Sequence, residues 1–132
     1  MGTQAQTAPA QLQEKLQEKV VYHINDSANA KALLNNVKNH MAAAPEAKIA
    51  VVGHGKGIDF MLKDAQDANG NLYAVTMETL AAEGVDFKVC NNTLKSRNLT
   101  ASAVADPAKV APSGVAEIGR LQAKNGYVYL KP

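Results

Sequence analysis

One cysteine, three histidines and a glycine-rich loop carry the reactive potential of this 132-residue chain. Cys90 lies in Phe87-Lys88-Val89-Cys90-Asn91-Asn92-Thr93-Leu94-Lys95-Ser96-Arg97. A thiol reacts as its thiolate, and the free N–H groups and positive dipole end of a helix favour that form. Lys95 and Arg97 would add to this effect if they fold back, and such a sulfur is expected to be partly exposed. The plainer alternative is a buried cysteine acting as a small apolar filler. Position alone leaves both readings open.

His23, His54 and Cys90 offer two imidazoles and a thiolate, a donor set suited to zinc or copper. No close spacing motif supports that set, so it stands only as an alternative to a metal-free site. His40 falls late in an expected helix, where it complements the C-terminal dipole. The loop Gly53-His54-Gly55-Lys56-Gly57 lacks the third glycine of a dinucleotide fingerprint, because position 58 is Ile58. It also lacks the Ser or Thr that follows Lys in a phosphate loop. It reads first as a tight turn needing positive φ, and second as backbone N–H groups available to an anion at Gly53 and Gly55.

The elements that must position these groups alternate. Strands are expected at Lys19–Ile24, Lys48–Val52, Val85–Val89, Lys109–Ala111 and Tyr127–Leu130. Helical spacing runs through Ala30, Leu33, Leu34, Val37 and Met41, and through Tyr73, Met77, Leu80 and Ala81 up to Gly84. Ile58, Met61, Leu62 and Ala65 suggest a further helix, closed by Asn69-Gly70. A short helix follows Cys90 to about Arg97. Ser113 is placed to cap a helix through Val115, Ile118 and Leu121 that Asn125-Gly126 ends. Strands alternating with helices make a three-layer α/β/α domain with a mostly parallel sheet of about five strands. Its site belongs outside the carboxyl ends of the strands. His23, the Gly53–Gly57 loop, Cys90 with Asn91 and Asn92, and Ser113 all fall there.

Apolar residues are 46% of the chain and charged residues 20%, a globular profile. The net charge of +2 is small, the basic residues are scattered, and there is no Trp, so nucleic-acid binding is not expected. A lone cysteine excludes an internal disulfide. No apolar run is long enough to cross a bilayer, so no membrane partner is expected. Residues 1–18, rich in Gln and Ala, read as a flexible arm or short helix ahead of a single domain over 19–132. The start shows neither the basic nor the apolar part of a signal peptide. The expected location is the cytoplasm, or the periplasm if a leader has been removed.

The stretch Val85–Asn98, the Gly53-His54-Gly55 loop and Ser113-Gly114-Val115-Ala116-Glu117-Ile118 together resemble the DsrE/DsrF-like family, over Val20 to Leu130. Cys90 matches the active cysteine of its sulfur-relay members, and Arg97 the second of their paired basic residues. Asn98 stands where they have glycine and tolerates the left-handed conformation. Asn91-Asn92 and Ser96 depart from the relay pattern. The resemblance implies a three-layer α/β fold, assembly as a homotrimer or homohexamer, and no cofactor. It implies a sulfur-carrier or sulfurtransferase-type activity through a persulfide on Cys90. The partners would be sulfur donor and acceptor proteins or small sulfane-sulfur species. His54 would then be the base or anion contact, with Asn91 and Asn92 N–H groups on the sulfur. A different class of function remains beside it: an oligomeric, non-enzymatic module that binds a small ligand or metal at the strand ends.

Overall fold

The computed structural model describes residues 17–132. Of the N-terminal arm expected over 1–18, residues 1–16 lie outside the described residues. The elements are β1 (Lys19–Asp26), α1 (Ala30–Ala43), β2 (Lys48–Lys56), α2 (Tyr73–Ala82), β3 (Asp86–Cys90), α3 (Asn91–Ser96), β4 (Ala108–Ala111), α4 (Gly114–Asn125) and β5 (Val128–Leu130). The five strands form one sheet in the order β4-β3-β2-β1-β5. Every pairing is parallel.

Strand alternation sorts the side chains onto two faces. Val20, Tyr22, Ile24, Ile49, Val51, Phe87 and Val89 join the larger core, with Leu33, Leu34 and Val37 of α1, Met77 and Leu80 of α2, and Leu94 of α3. Val21, Ala50 and Val52 face the other way and pack against Ile118 and Leu121 of α4. The topology explains this split. The chain steps from β1 to β4 in one direction, with helices on one face, then α4 returns across the opposite face to place β5 beside β1. Among the described residues one helix packs on the second face.

Two expectations change. No helix forms over Ile58–Ala65; only a 3-10 turn spans Asp59–Met61. Ile58, Phe60 and Met61 are all buried, so these residues enter the core together and do not present one helical stripe. Their backbone is also committed elsewhere: Lys63 N–H donates to Ala103 O, and Ala105 N–H to Met61 O. Val115 does not join the core face of α4 and is largely exposed. The caps of α4 follow the sequence. Ser113 accepts a hydrogen bond from Ala116 N–H, and Gly126 ends the helix in the left-handed region at φ 75°.

An ion-pair network fastens α4 to the sheet. Lys88, on β3, contacts the Glu117 carboxylate, and their side chains are 16% and 10% exposed. Arg120 grips the same carboxylate from Nε and Nη2 at 3.0 and 2.6 Å. The Arg120 hydrogen bonds, against the opposing effect of burial and with help from Lys88, hold the Glu117 pKa down at about 2. A carboxylate depressed in the folded state stabilises it fully above its unfolded pKa, and that stabilisation fades as pH falls toward the folded value. The partly exposed Arg120 screens the effect, which leaves about 2 kcal/mol. Glu117→Gln should thus lower stability by about 2 kcal/mol at neutral pH. It should also flatten the loss of stability that the parent protein shows between pH 4.5 and about 2. Denaturant midpoints taken across that range measure both.

Candidate functional site

The carboxyl ends of β1, β2 and β3 bring His23, His54 and Cys90 into one row. His23 pairs in register with Val52, and Gly53 with Val89, so His54 and Cys90 stand side by side on adjacent strands. All three point to the face that α4 covers, the face of Val21 and Val52. Tyr129 of β5 pairs with Val21 and extends the row to the sheet edge.

Cys90 is the last residue of β3 and the N-cap of α3. The expected partial exposure is corrected: only 5% of its surface reaches solvent. Gly114 is the reason. A Cβ at that position would meet Cys90 Cβ at 3.0 Å and His54 Cβ at 3.1 Å, so glycine lets the start of α4 settle directly over both residues. As a neutral thiol Cys90 makes no capping hydrogen bond, which fits a weak acceptor. Its ionisation is nonetheless eased. Burial is the largest single influence and opposes ionisation, but it is outweighed together by the N–H groups of Gly114, Thr93 and Asn92 and by the Thr93 hydroxyl. The thiol pKa is lowered. Donors aimed at a sulfur without a positive side chain nearby produce that result.

The donors differ from those expected. Asn92 N–H contributes and Asn91 does not, while Thr93 and Gly114 enter instead. Lys95 is exposed. Arg97 reaches away from the sulfur, to the Asp59 carboxylate and, at 3.1 Å, to Gly55 O. Gly55 N–H donates to Thr93 Oγ at 2.9 Å. That bond frees the Thr93 hydrogen to point at Cys90, a two-step polarised chain. Gly55 adopts φ +56°, as a tight turn demands. Gly53 sits against Met61 and Gly57 with no room for a side chain. Gly53 and Gly55 therefore shape and brace the site, and the Gly55 N–H is committed to Thr93 instead of to an anion. Ser113 acts as the α4 cap. Asn98, at φ +57°, takes the left-handed conformation expected of it.

His23 and His54 close on each other. Their Nε2 atoms are 2.6 Å apart, the ring planes meet at 15°, and His23 Nδ1 contacts the Tyr129 hydroxyl. Burial, then the neighbouring His54 and Lys131, lower the His23 pKa. Among the described residues no group of three or more His, Cys, Asp or Glu side chains is arranged to hold a metal ion. The set His23, His54 and Cys90 is thus an imidazole pair beside a thiol. His40 lies apart, in the last turn of α1, bonded to Tyr22 at 2.7 Å and to Glu18. A groove of about 440 Å³ between α1 and the 67–76 segment is remote from this row.

Thr93 and Gly114 had a signal in the sequence. Thr93 occupies the third helical position after Cys90, whose N–H faces the N-cap side chain. Gly114 follows the cap residue Ser113, where a helix has no local need of glycine. Tyr129 had none, because only the pairing of β5 with β1 brings it to His23.

Comparison with known proteins agrees with this architecture. The family model described as the DsrE/DsrF-like family matches residues 16–132. The structure of MTH1491 from Methanobacterium thermoautotrophicum, a protein of unknown function, superposes with a TM-score of 0.78 at 29% identity, covering 87% of this chain and 99% of that one. The crystal structure of ychN from E. coli superposes with a TM-score of 0.67 at 15% identity, again over 87% of this chain and 99% of that one, a likeness of fold. No curated protein matches the chain.

The Thr93 hydroxyl should be measurable at the sulfur. Thr93→Val should raise the pH midpoint of Cys90 alkylation by native protein, and Thr93→Ser should keep it low. An unchanged midpoint in Thr93→Val would assign the effect to backbone N–H groups alone.

Proposed function

The chain belongs to the DsrE/DsrF-like family, and from that premise we propose that it is a sulfur carrier or sulfurtransferase-type protein that holds sulfane sulfur as a persulfide on Cys90. The observation that carries this reading is the cluster of donors around Cys90: four groups favour its anion against the cost of burial. A terminal persulfide is also anionic near neutral pH, and the same donors suit it. The Cys90 thiolate attacks a donor persulfide and later yields the sulfur to an acceptor thiol. His54, beside it, is the proton acceptor. Burial keeps most of the bound sulfur from solvent, and exchange takes place with a small sulfane species or the tip of a donor chain. No helix among the described residues is long and apolar enough to cross a membrane. The reading places the protein in a reducing compartment, the cytoplasm, where a lone thiol stays available.

Self-association is part of the same reading. β5 is an edge strand, and Val128, Tyr129 and Leu130 are 58%, 41% and 43% exposed. An open apolar edge of this kind is usually covered. A second copy would cover it and shelter the His23 end of the row, in a homotrimer or homohexamer.

Two measurements test these points. After incubation with a sulfane-sulfur donor, the intact protein should gain the mass of one sulfur atom, reversed by a reducing thiol and absent in Cys90→Ser. No gain in the parent protein would overturn the carrier reading. Light scattering at micromolar concentration should report a trimer or hexamer; a monomer would overturn the assembly.

A further inference from the structure

The tautomers of His23 and His54 are coupled. A gap of 2.6 Å between their Nε2 atoms holds one proton. The other nitrogen of His23 is bonded to the Tyr129 hydroxyl. Among the described residues the side-chain hydrogen bond of His54 is the one to His23. Only two neutral polarities satisfy such a chain. In the first, Tyr129 O–H donates to His23 Nδ1, His23 Nε2–H donates to His54 Nε2, and the His54 proton sits on Nδ1. In the second, His54 Nε2–H donates to His23 Nε2, His23 Nδ1–H donates to the Tyr129 oxygen, and His54 Nδ1 carries a free lone pair.

We infer that His23 and Tyr129 are positioning residues for sulfur transfer at Cys90, holding His54 through this imidazole–imidazole–phenol chain in the second polarity, with Nδ1 as the proton-accepting nitrogen. The inference rests on the carrier reading of Cys90 and adds the path of its proton. Among the described residues, Cys90 stands beside the pair on β3, Tyr129 meets it from β5 with Lys131 beyond, and Gly114 of α4 lies over His54. Burial, the neighbouring His54 and Lys131 lower the His23 pKa. In the second polarity His23 accepts the Nε2–H of a protonated His54 and stabilises that charge.

The step balances without an oxidant. The Cys90 S–H bond breaks and its proton moves to His54 Nδ1. The thiolate attacks the terminal sulfur of a donor R–S–SH, forming the Cys90 S–S bond as the donor S–S bond breaks. The leaving thiolate RS⁻ takes the proton back from His54. Cys90–SH and R–S–SH become Cys90–S–SH and RSH, with no net redox change.

The test compares two reactions of Cys90 across the neutral pH range: sulfur transfer from glutathione persulfide, and alkylation by iodoacetamide. Alkylation releases iodide and needs no proton returned. His23→Leu should slow sulfur transfer about tenfold, near the low end of what a positioned proton carrier contributes, and should change alkylation little. His23→Gln, which keeps an acceptor for His54 Nε2–H, should recover most of the rate. Tyr129→Phe, at a half-exposed edge position, should give an intermediate loss and decides the matter if His23→Leu fails to fold. Parallel losses in both reactions, or transfer profiles that superimpose on the parent's, would overturn the relay while persulfide still forms. Absence of any persulfide on the parent protein would overturn the carrier reading itself.

Discussion

The missing side chain at Gly114 is the constraint on which the site depends. Any Cβ there would press on Cys90 and His54 at 3.0–3.1 Å, tighter than ordinary packing allows. Without it, the first turn of α4 lies across the ends of β2 and β3 and brings the Gly114 N–H to the sulfur. One contact thus does two opposing things. It buries the thiol, which disfavours charge, and it supplies a donor that favours charge. The Lys88–Glu117–Arg120 network holds the helix in that place one turn further along the same face.

The glycine loop is the second support. Gly55 turns with positive φ and offers its N–H to Thr93 and its carbonyl to Arg97. Gly57 lies so close to Ile24 O, 2.1 Å from where a Cβ would stand, that β1 and the loop pack backbone to backbone. The loop is therefore a brace between β1, β2 and α3. It acts on Cys90 through the Thr93 hydroxyl, which receives one hydrogen bond and is left to give another.

The uneven covering of the sheet explains where chemistry is placed. Three helices and a buried turn fill one face and give the larger core. Among the described residues α4 alone packs on the other, and the smaller core beneath it ends where Val21 and Val52 give way to His23 and His54. Polar side chains are tolerated there because each finds a partner: imidazole with imidazole, and His23 with Tyr129.

Local pattern by itself determined the alternation of strands and helices, the parallel sheet, the caps at Ser113 and Gly126, the left-handed Asn98, and the gathering of His23, His54 and Cys90 at strand ends. These follow from period, propensity and handedness, which act over a few residues or through a general rule of topology. It failed over Ile58–Ala65, where apolar spacing suited a helix but the backbone of residues 61–63 bonds to residues 103–105. It also turned Arg97 toward the sulfur, when Asp59 and Gly55 claim it. Only the tertiary structure decided that Cys90 is covered and that Tyr129 meets His23. Each of these depends on two segments approaching to within one atom's width, and no spacing along the chain records that distance.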